Sequence, residues 1–568
     1  MTPDFTYPTF SEPQTHLSDR TINVWAGDVV GGSSAVNAMM TVRGAKEDYD
    51  RWDKLFGVNA NVGWNWDSLL PYFKKALNFV PPDPGVAATA NISYDASYWG
   101  NSSGVYASWP SFQYPGSKAT FDAFRDIPGV DFPPDSGAGL PGVYWFPQFM
   151  DPKNATRSYS RTGHFDQIKR SNYQLITSSN VLTILLDGTT ATGVTFAPTN
   201  SNTSSPVTTV RANKEVILAA GGIHSPQILQ RSGIGPSKLL KSANITTIVD
   251  LPGVGQNFQD HSILTMVLNR ESSPLLDMYM VSTNRCVVQV RNFTISPSPT
   301  DLMSNTSFQS WADSVWAANR TGPYSIALVN AAAWLPYPVI SSRWQSIADK
   351  LADQDPASSL PADTDPTVVA GYTAQLRLME QALQSNGTAF YNLYLQGGPS
   401  GGILLDLHPL SRGSVTIDPS DPFGKEPLVD YRALSNPIDS LVMADIVRFT
   451  RSFYFGVEAN RRLGPEEISP GVEVEDDASL AGWLAEAVIP SEAHPSGTCS
   501  MMPRDIGGVV DQQLKVYGTQ NLRVVDASIM PMLPGGNTCQ PVYAIAEKVS
   551  RYCPAKVYLL ISCFRPRI

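Results

Sequence analysis

His494, in the run His494-Pro495-Ser496-Gly497-Thr498-Cys499, is a side chain that can take a proton at neutral pH. An uncharged imidazole near its ordinary pKa accepts the hydroxyl proton of an alcohol directly. Further on, Asn537 stands in Gly536-Asn537-Thr538, and its amide can donate to a developing alkoxide and hold it. Loss of the proton is half of an alcohol oxidation. The α-hydride also has to leave, and no side chain accepts it, so base and amide call for an organic hydride acceptor. The chain has six histidines, and His224, His261 and His408 read as structural. Glu492 is an alternative base, although a carboxylate two residues from such a motif is more often solvated.

Two glycine-containing segments are candidates to hold that acceptor. Between Gly27 and Trp52 a Gly31-Gly32-Ser33-Ser34 turn leads to Asn37, Arg43-Gly44, Asp48 and Trp52. Paired glycines allow close backbone approach to a ligand, and free N–H groups beside small hydroxyls suit a polar cofactor; an ordinary loop is the alternative. The second segment begins with the apolar run Lys214 to Ala220, followed by Gly221-Gly222 and a helical pattern opened by Ser225-Pro226 and ended by Gly233. Strand, glycine turn and helix form the plan of a nucleotide-binding α/β unit.

Read together, Gly27 to Trp52, Gly221 to Pro236, Leu251 to His261 and the His494 and Asn537 segments resemble the glucose-methanol-choline (GMC) flavoprotein oxidoreductases. The resemblance implies FAD as cofactor, with His494 and Asn537 against the flavin on the face where substrate binds. It implies Gly31, Gly32, Ser33, Asn37, Ala38, Met39 and Met40 near the pyrophosphate and isoalloxazine, and Val181 near the adenine. Asp526 and Ala527 would lie near the ribityl chain, and Thr538 with Val542 near the pyrimidine. Each of these could equally be a packing or turn residue. The implied reaction is oxidation of a primary or secondary alcohol, with proton abstraction at His494, hydride transfer to flavin N5, and electrons passed to O2 or another acceptor. The segments look like those of fungal aryl-alcohol oxidases and of dehydrogenases in secondary metabolism. Some fungal members, versicolorin B synthase among them, are polyketide cyclases or dehydratases with a structural flavin. That activity, or an inactive truncated product, is the alternative.

The expected architecture is a doubly wound α/β FAD-binding domain, discontinuous in sequence, plus an α+β substrate domain. Residues 1–261 and 411–568 would belong chiefly to the first, and 262–410 mainly to the second. Strands are expected at Tyr173 to Thr183, Thr192 to Ala197, Val207 to Val210, Lys214 to Ala220 and Ser411 to Asp418, with a helix at Thr373 to Gln384. The family's N-terminal βαβ unit, with its GxGxxG turn, is expected to be missing, because the first motif starts within 30 residues of Met1. Its absence would leave sheet edges exposed and FAD binding in question. The tail from Cys553 looks unlike a domain-ending helix.

Composition narrows the class further. The 568 residues are 42% hydrophobic and 16% charged, as in a globular chain of two or more domains. A formal charge of −10 argues against nucleic acid and anionic membrane surfaces, and no apolar run is long enough to span a bilayer. Five cysteines without a CxxC pair argue against a zinc or dithiol site, so no metal is expected. Nine Asn-x-Ser/Thr sequons lean toward secretion or arise by chance in an Asn-, Ser- and Thr-rich chain; no signal peptide is recognisable.

Overall fold

Side-chain alternation with a period of two builds the largest sheet of the protein. The computed structural model describes residues 5–168, 170–199, 206–268, 295–397, 402–552 and 559–561. Five antiparallel strands lie in the order Ser262–Thr265, Ile403–Asp406, Ala389–Tyr394, Ala331–Pro336 and Gly142–Trp145. Successive residues of a strand face opposite sides. Ala332 and Trp334 therefore join Tyr144, Ile403 and Leu405 in one apolar cluster, while Ala331, Ala333 and Leu335 enter the larger core. Both faces are buried: helices Pro115–Ala123 and Pro437–Arg451 pack against the sheet, and Met40 and Val42 belong to the cluster containing Trp334.

A second, parallel sheet places Val216–Leu218 between Leu522–Val524 and Leu559–Ile561. Its central strand feeds the helix Gly221–Arg231, as the strand–turn–helix reading expected. That helix begins four residues before Ser225, so Pro226 falls in its second turn. The strand Leu559–Ile561 pairs with one edge of Val216–Leu218. The rest of the tail from Cys553 lies outside the described residues, as do Cys286, Asn202 and Asn292.

Other expected elements shift at their ends. The strand expected from Tyr173 starts at Ser179 and pairs with Thr190–Pro198, which also pairs with Thr208–Arg211. Before it, Tyr173, Leu175 and Ile176 remain exposed, and Ser178 has φ 58°, which breaks the extended run. The strand expected over Ser411 to Asp418 is confined to Ser414–Thr416. The helix expected at Thr373 to Gln384 runs Pro366–Leu383, because Asp365 caps it through the Thr367 N–H and Pro366 occupies its first turn.

The first motif is a structural anchor as well as a candidate cofactor loop. Arg43 is fully buried; its Nη1 donates to the carbonyls of Tyr98 (3.1 Å) and Gly137 (3.3 Å). Its guanidinium lies 4.6 Å from the Trp99 ring and 5.1 Å from that of Phe73, and burial pulls its pKa down to about 10. In the helix Lys46–Lys54, Asp48 accepts from the N–H groups of Ala45 (2.8 Å) and Gly535 (2.9 Å). Trp52 Nε1 donates to the carbonyl of Met532 (2.9 Å), so this helix fixes the Met532–Gly535 segment. Arg43→Ala leaves two buried carbonyls without their donor and Asp135 without its cation. It should lower the unfolding free energy by about 3–5 kcal/mol in denaturant titration. A loss below about 0.5 kcal/mol would show that Arg43 does not hold this corner together.

Candidate active site

The segment before His494 is held by one buried carboxylate. Asp260 Oδ1 accepts from the N–H groups of Glu492 (3.1 Å) and His494 (3.0 Å), and its Oδ2 accepts from Ser491 Oγ (2.7 Å). Burial pushes the Asp260 pKa up to about 7, against the pull of these donors toward the charged form. Between the two clamped amides, Ala493 has φ 62°, a left-handed conformation that disfavours a Cβ by roughly 1–2 kcal/mol. The clamp holds the chain in that conformation, and Glu492 and His494 both come to face His261.

Around His494 the polar contacts are short and buried. His494 Nδ1 lies 2.9 Å from His261 Nδ1, and His261 Nε2 lies 3.1 Å from the carbonyl of Pro534. The two imidazole rings are perpendicular, with centroids 5.0 Å apart. On the other side of its ring, His494 Nε2 is 3.4 Å from Asn537 Nδ2. Glu492 Oε2 stands 3.4 Å from His494 Nδ1, and Glu492 Oε1 accepts from the Tyr394 hydroxyl. Glu492 is therefore buried instead of solvated, which corrects the sequence expectation. Desolvation pushes its pKa up to about 8, opposed by the Tyr394 hydrogen bond and reinforced by Asp260. Desolvation also pulls His494 down to about 3, and burial followed by its histidine neighbours holds His261 well below the ordinary range. At neutral pH both imidazoles are uncharged and Glu492 keeps its proton.

The residues expected around the cofactor fall into two groups joined by hydrogen bonds. Gly31 (φ 105°) and Gly32 (φ 55°) form a turn in which a Cβ on Gly31 would stand 2.7 Å from the Tyr159 ring. Ser33 Oγ accepts from Gly27 N (3.1 Å) and Asn37 Oδ1 from Met39 N (3.0 Å) and Arg157 Nη1 (2.6 Å). Ala38 is half-buried; Met39 and Met40 are buried, and Met40 bridges Gln148. Ser34 Oγ contacts Ser160 Oγ (2.8 Å), which contacts the Tyr543 hydroxyl (3.0 Å), tying this loop to the helix Cys539–Ser550. Thr538 is the N-cap of that helix, and Val542 lies half-buried in its first turn. In the second group, Asp526 accepts from Gly221 N (2.9 Å) and Ser225 Oγ (2.5 Å), and Ala527 O accepts from Gly497 N (3.3 Å). Val181 sits apart in the Ser179–Asp187 strand, opposite Phe196.

These groups suit an elongated anionic cofactor such as FAD. The N-cap residues of Gly221–Arg231 and Cys539–Ser550 make no side-chain cap; at the first helix Asp526 takes the Gly221 N–H, which leaves the later first-turn N–H groups for a ligand. Gly221 has φ 80°, and a Cβ there would meet no atom within 4 Å, which leaves open space at the carboxyl end of the parallel strand. Next to it, a Cβ on Gly222 would stand 2.4 Å from the carbonyl of Pro495, so this glycine lets the helix start abut the His494 segment.

Sequence reasoning brought His494 and Asn537 together correctly in space, but it passed over three of their neighbours. Asp260 and His261 lie in the Leu251 to His261 segment, where Asp260 was given no role and His261 read as structural. Tyr394 stands at the end of a buried strand, where nothing in the local sequence sets it apart from a core tyrosine. Only the pairing of distant strands brings its hydroxyl to Glu492.

Comparisons with known proteins agree with this geometry. The models for the N-terminal and C-terminal parts of GMC oxidoreductases match residues 12–263 and 409–546. A dehydrogenase of Emericella nidulans, xptC, is 34% identical over 554 residues, covering 95% of this chain and 83% of its own. Among solved structures, an FAD-dependent oxidoreductase from Chaetomium thermophilum superposes with a TM-score of 0.89 at 36% identity, over 97% of this chain and 90% of that one. A fungal aryl-alcohol oxidase superposes with a TM-score of 0.88 at 32% identity, over 97% and 90%. With its FAD-binding and substrate-binding domains, the chain belongs to the GMC oxidoreductase family and is an FAD-dependent oxidoreductase acting on CH–OH groups.

Proposed function

We propose that His494 is the base that removes the hydroxyl proton and that Asn537 orients the resulting alkoxide. The observation that carries this reading is the meeting of an uncharged imidazole nitrogen, His494 Nε2, with an amide donor 3.4 Å away. A substrate oxygen seated between them would give its proton to Nε2 and accept from Asn537 Nδ2. FAD, when bound, supplies the hydride acceptor. Met40, Gly31 to Ser33, Asn37 to Met39, Asp526, Ala527, Thr538 and Val542 are proposed as its contacts, with Val181 toward the adenine. The uncapped N-terminus of Cys539–Ser550 and the open face at Gly221 support that assignment.

The proposed substrate is a primary or secondary alcohol with an apolar, aromatic body. Tyr394, whose hydroxyl reaches Glu492, shares its apolar cluster with Met40, Phe146, Tyr144 and Trp334. The Tyr144 and Trp334 rings stack at 4.6 Å, and Phe146 meets Trp334 edge-on at 5.6 Å. An aromatic core this close to Glu492 supports an aryl group over a sugar, which would need many polar partners. The electron acceptor is O2 or another oxidant. A polyketide cyclase with an idle flavin is not favoured, because the relatives above are named a dehydrogenase, an FAD-dependent oxidoreductase and an aryl-alcohol oxidase. Among the described residues no helix is long and apolar enough to cross a membrane. The proposed division of the chain remains 1–261, 262–410 and 411–568.

His494→Gln should lower kcat for a benzylic alcohol by about 10²–10⁴-fold, the range expected for loss of a general base. Asn537→Ala should lower it by about 10²–10³-fold, with FAD still bound in both variants. Aldehyde formation measured with FAD content as a control checks this; near-normal turnover by His494→Gln would refute it.

The pH profile has a defined sign. His494 stays uncharged down to about 3, so its own titration leaves kcat/KM unchanged between pH 5 and 7; a change there belongs to Asp260, raised to about 7 by burial. Above about pH 8 Glu492 ionises and places a negative charge 3.4 Å from the ring that gains the proton, so the rate should rise there. Glu492→Gln should abolish the rise, and an unchanged profile in that variant would assign the inflection elsewhere.

A further inference from the structure

Beyond the base itself, the hydrogen bonds around His494 decide which of its nitrogens carries the proton. A carbonyl oxygen only accepts, so the 3.1 Å contact with Pro534 requires the proton of His261 on Nε2. His261 is fully buried and uncharged, so it has one N–H, and its Nδ1 is a bare lone pair. That lone pair faces His494 Nδ1 at 2.9 Å. Two bare nitrogens do not approach so closely, and the contact therefore requires a proton on His494 Nδ1. An uncharged His494 then has its own lone pair on Nε2, beside Asn537.

We propose that His261 is a positioning residue: it relays the acceptor character of the Pro534 carbonyl to His494 and locks Nε2 as the basic atom. The proposal rests on the assignment of His494 as the base. The groups facing the pair include Glu492, 3.4 Å from His494 Nδ1 and 3.9 Å from His261 Nδ1, and His408, whose charge would disfavour protonation of His261. Asp260 holds the backbone N–H of His494, not its ring. The carbonyl of Leu407 also acts on the His261 ring as an acceptor; the single N–H of the uncharged ring is assigned to Nε2 by its 3.1 Å contact with the Pro534 carbonyl. The lock is seated by the first motif, because Asp48 holds Gly535 N and Trp52 holds the carbonyl of Met532 on either side of Pro534.

Removal of the lock frees His494 to place its proton on Nε2, where it cannot act as a base. A wrong tautomer in a histidine-based site lowers kcat by about 10²–10⁴-fold. His261→Ala holoenzyme should show that loss in kcat with a smaller change in KM. His261→Asn can present its amide oxygen near the former Nδ1 and should recover to within about tenfold of wild type. In wild-type holoenzyme, nitrogen NMR of labelled histidine should show His494 Nδ1 protonated and Nε2 bare, with the resonances assigned through His494→Gln. Equal losses in His261→Ala and His261→Asn would overturn the proposal, as would an Nε2-protonated His494 in the wild type. If His494→Gln retains turnover, the base assignment fails as well; if it abolishes turnover while the His261 variants behave alike, the tautomer lock alone fails.

Discussion

The site depends on the grip of Asp260 on the backbone of Glu492 and His494. A left-handed alanine between two clamped amides is not a conformation the chain adopts unaided. With the clamp in place, two side chains two residues apart reach the same neighbour, His261. An extended chain would send the residues flanking Ala493 along one side of a strand, at a spacing set by the pleat, and would not gather them around one imidazole. The burial that raises the Asp260 pKa also strengthens its hydrogen bonds, since local dielectric is low and water does not compete.

The remaining elements bring partners to that clamp. The helix Lys46–Lys54 fixes the Met532–Gly535 segment through Asp48 and Trp52 and so places the carbonyl that His261 needs. The five-stranded sheet delivers Tyr394 to Glu492 from the end of one strand, while its alternating residues build the aromatic cluster that packs with Tyr394. The strand–turn–helix around Gly221 meets the His494 segment through a glycine with no room for a side chain. The hydrogen bonds of Asp526 with Gly221 and Ser225, and of Gly497 with Ala527, join the catalytic segment to the cofactor side.

Much of this was legible from local sequence, because motifs report local backbone geometry. The Gly31-Gly32 turn, the strand before Gly221 and the helix after it follow from residue types a few positions apart. His494 and Asn537 were paired by motif, and they lie side by side. The sequence misjudged burial wherever it depends on distant chain. Glu492 read as solvated, yet strands about a hundred residues away enclose it and raise its pKa. His261 read as structural because a histidine's role is set by what each ring nitrogen faces, and both of its partners come from more than 200 residues downstream. Tyr173 to Ile176 had strand-forming side chains, but no neighbouring strand to bury them.

The most direct test of the account is rapid anaerobic mixing of FAD-loaded protein with benzyl alcohol and with its α-deuterated form, followed by visible absorption. Loss of the oxidised flavin band is predicted, slowed severalfold by deuterium. A flavin band that persists with every alcohol offered would contradict the account, because oxidation of an alcohol at this site requires its hydride to reach the flavin.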